Sequence, residues 1–167
     1  VGKIQSIIVL FFSLWLTGCG YHFSGGGSLP SGIERVFVSI FKNHTSETGL
    51  ENTVTRYLIQ EFSRNGKLGT ETGADAVLSG EIRSMQTRSI SRTSRQTTTE
   101  NRVILKMDID LTDIRGRILW SRTGISESEA YDVTDDKLKT EKNRKQALIK
   151  LCERFAQRIY NDLTANF

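Results

Sequence analysis

Val103-Ile104-Leu105-Lys106-Met107-Asp108-Ile109-Asp110-Leu111-Thr112 decides the fold class. Val103, Leu105, Met107, Ile109 and Leu111 alternate with a set that is mainly polar. Successive side chains of a strand point to opposite faces, so this run has one apolar face and one largely polar one. An antiparallel sheet covered on a single side is built from such strands. Working outward, Asp113-Ile114-Arg115-Gly116-Arg117 reads as a hairpin turn with glycine late in the loop. The next strand starts at Ile118-Leu119-Trp120-Ser121 and continues to Ala130. Upstream, Asp75 to Met85 reads as a strand. Arg35-Val36-Phe37-Val38-Ser39-Ile40-Phe41, β-branched and aromatic, reads as another.

Two helices complete the set. Leu50, Val54, Tyr57, Leu58 and Phe62 fall at helical spacing after the polar turn Lys42 to Gly49, and Asn65-Gly66 supplies a stop. Leu148, Leu151, Cys152, Phe155, Ile159 and Leu163 mark one face of a long last helix, whose outer face carries Lys150, Glu153, Arg154, Arg158 and Asp162. The order is strand, helix, three strands, helix. Amphipathic helices and a sheet with one polar face predict a two-layer α+β sandwich, two helices on a four-stranded, mostly antiparallel sheet.

The N-terminal stretch bears on location. Lys3 precedes the apolar run Ile7 to Leu16, and Thr17-Gly18-Cys19 follows. A charged start, a short apolar core and small residues have the shape of a secretory signal peptide. The core is too short to span a ~30 Å hydrocarbon layer. Cys19 after the small pair resembles a bacterial lipobox, which implies lipidation of Cys19 and cleavage before it; the alternative is an ordinary signal with an incidental cysteine. Gly20 stands where an aspartate often marks inner-membrane retention, so the outer membrane is expected by analogy. Residues 1–18 are then the signal, 19–32 a lipidated tether containing Ser24-Gly25-Gly26-Gly27-Ser28, and 33–167 a single domain. Loss of residues 1–18 leaves 149 of 167 residues, and loss of Lys3 takes the formal charge from +4 to +3. One core of ordinary size fits that length. Cys152 is left alone, a small buried hydrophobe on its helical stripe with no disulfide partner.

Chemistry is sparse. His22 lies in the tether and His44 in a polar turn, and neither has a Cys or acidic cluster nearby in sequence. No zinc-ligand spacing, nucleophile elbow, Walker loop or dinucleotide fingerprint occurs. Asp108 and Asp110 share a strand face that reads as solvated; a hydrolase would need them joined by a histidine in a cleft. An enzyme is not expected, and no cofactor beyond the covalent lipid on Cys19. One segment stands apart. Thr87 to Thr99 holds eight Ser/Thr and three arginines, Arg88, Arg92 and Arg95, and no carboxylate falls between Glu81 and Glu100. It is expected to extend the flanking strands or to form a solvated loop. Arginine forks suit phosphate or carboxylate. Export and the lack of interleaved aromatics argue against nucleic acid.

Cys19-Gly20-Tyr21-His22-Phe23, with Val36 to Thr45, Gly49-Leu50-Glu51 and Ala74 to Ile82, resembles the LPS-assembly lipoproteins of the LptE family. The resemblance implies a periplasm-facing outer-membrane lipoprotein that plugs the large LptD β-barrel, helps it assemble and contacts lipopolysaccharide. It also implies that Tyr21, His22 and Phe23 pack near the membrane-proximal end. On charge alone, Arg88, Arg92 and Arg95 are the candidate contacts for lipid A phosphates or the barrel, with Lys145 and Lys150 secondary. The competing expectation is an envelope lipoprotein that regulates a cell-wall synthesis machine.

Overall fold

A short 3-10 turn at Pro30–Gly32 leads into β1 (Val36–Val38), β2 (Lys42–Asn43), α1 (Leu50–Arg64), β3 (Ala76–Arg92), β4 (Thr98–Asp113), β5 (Ile118–Asp132) and α2 (Lys137–Thr164). These elements come from a computed structural model, which describes residues 29–92 and 98–165. The sheet runs β1-β3-β4-β5, with β2 also paired to β3. β3, β4 and β5 form an antiparallel meander, while β1 and β2 add to β3 in parallel. Both helices pack on one face, α2 against β5 and β4 and α1 against β1, and they touch each other. The α+β sandwich and its element order are as expected.

The sheet has five strands where four were expected, because the first one breaks. Val36 to Val38 pairs with Ala76 to Leu78, and Ser39 N–H still donates to the Leu78 carbonyl at 2.9 Å. At Phe41 the backbone N–H turns to the Thr55 hydroxyl of α1 instead, at 3.2 Å. The ladder resumes at Lys42–Asn43, residues expected to lie in a turn. The cause is the Phe41 ring, which lies over Gly80. A Cβ at Gly80 would sit 2.4 Å from Phe41 Cε1 and 2.6 Å from the Asp108 carbonyl oxygen. Only glycine admits that approach.

The inner face carries Ala76, Leu78 and Ile82 of β3 with Val103, Leu105, Met107, Ile109 and Leu111 of β4, all fully buried. Leu58 and Phe62 of α1 and Leu151, Phe155, Ile159 and Leu163 of α2 close over them. Phe62 meets Tyr160 edge to face, ring centroids 5.3 Å apart. Each such side chain contributes roughly 1.5–3 kcal/mol by leaving water. Cys152 is buried in this layer, as expected, and desolvation pushes its thiol up to about 12.

Candidate functional site

The β3–β4 hairpin gives the molecule two poles. One lies where Val36, Ala76, Asp113 and the β4–β5 turn meet; the other lies around the Arg88–Arg102 row. Eleven residue steps along β4 separate Arg102 from Asp113, roughly 35 Å at ~3.3 Å per residue. The described residues of segment 87–99 extend the strands: β3 continues to Arg92 and β4 starts at Thr98, where the two residues pair. Arg95 and Cys19, with Tyr21, His22 and Phe23, lie outside the described residues.

At the far pole Arg88 and Arg102 stand directly opposite each other across the two strands. Both are exposed, and their register places them on the uncovered face with Gln86 and Ile104. Arg88 donates to Gln86 Oε1 at 2.9 Å, and neither arginine forms an ion pair among the described residues. Like charges in opposed positions are destabilising. Arg102 lies outside the Thr87 to Thr99 segment that stands out in the sequence, yet cross-strand register makes it the partner of Arg88.

The start of α2 brings charge of both signs to this pole, Asp135 and Asp136 followed by Lys137 and Lys139. β5 ends beside Glu100, Val133 N–H donates to the Thr99 carbonyl at 2.9 Å, and α2 then begins. Asp136 caps it, accepting from Leu138 N–H and Lys139 N–H at 2.8 and 3.3 Å. No acidic residue occupies the first turn, where Lys137 and Lys139 stand instead. Cations there oppose the helix dipole. Lys145 and Lys150, the secondary candidates, are both exposed and lie in the body of the helix, which begins at Lys137. Lys150 lines a concavity of about 160 Å³ with Asn143, Gln146 and Glu129, smaller than the ~300–1,000 Å³ usual for small-ligand pockets.

The middle of the uncovered face is charge-balanced. Arg83 bonds Asp108 at 2.6 Å and Glu81 at 2.7 Å, and Glu81 also meets Lys42 at 3.3 Å and His44 at 3.4 Å. No acidic cluster lies near His44 in sequence; parallel pairing of β2 with β3 brings it to Glu81. Asp108 accepts the Gly124 N–H at 2.7 Å at the irregular step of β5, and Asp110 accepts the Ser121 hydroxyl at 2.6 Å. The Gly124 N–H and Arg83 hold Asp108 below its usual carboxylate range, and the Lys42 hydrogen bond does the same for Glu81. Glu81 and Asp108 stay ionised and paired with the neighbouring cations, an arrangement that stiffens the sheet. Among the described residues no group of three or more His, Cys, Asp or Glu could hold a metal.

Two further clusters set the frame. Asn43 Nδ2 donates to the Glu47 carbonyl at 2.9 Å and Glu51 Oε2 at 2.7 Å, while its Oδ1 accepts the Thr45 N–H at 2.9 Å. The Asn-His-Thr and Gly-Leu-Glu motifs are thus the two halves of one loop clamp. Arg144 grips the same loop, bonding both oxygens of Glu47 at 3.0 and 3.1 Å and also Glu141. Those carboxylates drive its pKa above the ordinary value. Arg154 and Arg158, expected on the outer face of α2, reach β5: Arg154 meets Glu129 and the Ser128 carbonyl, both at 2.6 Å, and Arg158 meets Glu127. Side-chain donors on those carbonyls blunt an edge strand against stray pairing.

Comparison with known proteins places this scaffold. Residues 33–163 match the family described as LptE, lipopolysaccharide-assembly. The fold resembles rare lipoprotein B from Shewanella oneidensis (TM-score 0.58, 14% identity, covering 77% of this chain and 94% of that one). It also resembles lipoprotein B from Nitrosomonas europaea (0.58, 18%, 87% and 91%) and a lipoprotein from Caulobacter crescentus (0.54, 13%, 75% and 88%). At these identities the likeness is one of fold. No curated protein sequence matches the chain.

Proposed function

Because the chain belongs to the LptE lipopolysaccharide-assembly family, we propose that it is a lipid-anchored outer-membrane subunit that seats in the LptD β-barrel and contacts lipopolysaccharide with its arginine-bearing pole. Residues 1–18 act as the signal, Cys19 carries the lipid, and residues 19–32 tether the domain. The mechanism is binding, with no covalent step.

The Arg88–Arg102 pair carries this reading. The fold sets two arginines opposite one another and, among the described residues, pairs neither with a carboxylate, so an anion placed against both would relieve their repulsion. A phosphate can accept paired N–H bonds from each fork. Arg92 ends the same strand, and Lys145 and Lys150 are weaker contributors from α2. The hairpin's length supports the plug role. From the Asp113 row to Arg102 it reaches roughly 35 Å, comparable to a ~30 Å hydrocarbon layer, so a domain inside a barrel can be anchored at one membrane face and present arginines near the other.

The test uses the full-length lipoprotein in detergent, wild type against Arg88→Glu/Arg102→Glu. Wild type is expected to bind lipopolysaccharide and to co-purify with a large β-barrel near one to one. The double variant is expected to keep its circular dichroism spectrum and lose lipopolysaccharide affinity at least tenfold. Unchanged affinity overturns the assignment of the site, and recovery of a cell-wall synthase with no barrel overturns the export role.

A further inference from the structure

We propose that the β4–β5 turn, Asp113 to Ile118, is a membrane-contact element that rests on an anionic lipid surface beside the N-terminal anchor. The proposal rests on the lipidation of Cys19 in the reading above.

The turn is built rigidly around one side chain. Asp113 Oδ1 accepts the N–H groups of Arg115 and Arg117 at 2.9 and 2.8 Å, and Oδ2 accepts Arg117 Nε at 3.2 Å. Gly116, at φ +79°, closes the loop by donating its N–H to the Asp113 carbonyl at 2.9 Å. These bonds leave the carboxylate ionised well into acid, its pKa lowered chiefly by the Arg117 N–H. Nothing in this framework covers the two isoleucines it presents. Ile114 is 75% exposed and Ile118 61%.

A single exposed isoleucine is ordinary on a protein surface. Two of them in five residues, with Arg115 and Arg117 between, form a small amphipathic tip. Arg115 makes no ion pair among the described residues, so its charge is available to an anionic surface. Basic groups close to such a surface each add to binding, and apolar side chains beside them insert at the headgroup boundary.

Chain geometry identifies the surface as lipid. The described chain begins at Leu29, and Pro30–Gly32 touches β5 before β1 starts level with Ala76, which pairs with Asp113. The tether therefore leaves the domain at the pole that carries the turn. Cys19 precedes Leu29 by ten residues, at most ~35 Å of extended chain. An acyl anchor on so short a leash keeps this pole near the bilayer. The opposite pole, with Arg88 and Arg102, then faces away from the anchored leaflet.

The test places an environment-sensitive NBD label on Ile114→Cys or, as control, Leu138→Cys. Leu138 is 84% exposed and lies at the opposite pole. Cys152 is buried and escapes labelling. Full-length lipoprotein is reconstituted into phosphatidylethanolamine/phosphatidylglycerol vesicles containing brominated lipid. The expected result is quenching at position 114 at least twofold stronger than at 138, weakened by Arg115→Glu and by high salt. A protein that floats with the vesicles while both labels stay equally unquenched overturns this proposal alone. A protein that fails to float overturns the anchor as well. A blue shift at 114 without quenching, seen only when the β-barrel is added, identifies a protein contact and overturns the lipid assignment.

Discussion

Gly80→Ala tests the packing that breaks the first strand. The new Cβ would lie 2.4 Å from Phe41 Cε1 and 2.6 Å from the Asp108 carbonyl oxygen, about 1 Å inside the ~3.5 Å normal for carbon contacts. Neither neighbour yields easily. Phe41 is buried beneath α1, and the Asp108 carbonyl belongs to the backbone of β4. Forcing extra volume into a packed core costs roughly 1–3 kcal/mol. Alanine's lower unfolded-chain entropy offsets about 0.5–1 kcal/mol of this. The midpoints of these ranges leave a net loss of about 1 kcal/mol, or roughly 3–4 °C in Tm at ~3 °C per kcal/mol for a chain of this size. Urea and thermal unfolding followed by circular dichroism measure it. Phe41→Leu removes the ring edge, so in that background the glycine change should cost about 1 kcal/mol less, a coupling typical of residues in contact. Equal or greater stability of Gly80→Ala, or the same penalty with and without the ring, would refute the steric argument.

Acid should weaken the domain in a defined direction. Glu51, Asp75, Glu81, Asp108 and Asp113 all have folded pKa values lowered from 4.5 or 3.8, so their stabilisation is complete above those values and drains away as pH falls through the depressed folded ones. Urea midpoints from pH 7 to pH 3 should fall below about pH 4.5, and Asp108→Asn should narrow the drop. Arg88→Glu replaces a like pair with an opposite one across the strands, so the domain should hold or gain stability, by ~0.2–1 kcal/mol, even where function is lost; a clear fall in urea midpoint would contradict this. The Cys152 thiol, buried and pushed up to about 12, should resist iodoacetamide in the native protein and react promptly in 6 M urea, as mass spectrometry can follow.

The inner face of the sheet was readable because it is half covered: burial writes a period of two into Val103 to Leu111, and the register turns Val103, Leu105, Met107, Ile109 and Leu111 inward while Ile104 faces out. The same logic explains what could not be read. Beyond Val103 the hairpin carries little apolar alternation, so threonine's strand preference was the only cue that Thr87 to Thr99 extends both strands. The charge pattern points to Arg88, but its pairing with Arg102 depends on register past the irregular step of β3 between Ile82 and Ser84. The irregular step near Gly124 resets the parity of β5, which turns Glu127 and Glu129 toward α2 and gives Arg154 and Arg158 partners no helical wheel could show. Likewise the first two turns of α2 lack an apolar stripe, and only Asp136 as a cap signals where the helix begins. His44 joins Glu81 through parallel pairing between segments far apart in sequence, which local reading does not reach.

The most direct measurement is photo-crosslinking in growing cells, with a benzophenone amino acid at position 88 or 102 at one pole and at position 71, in the exposed loop ahead of β3, at the other. Positions 88 and 102 are predicted to yield adducts with lipopolysaccharide and with the β-barrel, and position 71 no lipopolysaccharide adduct. Lipopolysaccharide adducts of equal yield at both poles, or at neither, would contradict a role for the arginine pole in export.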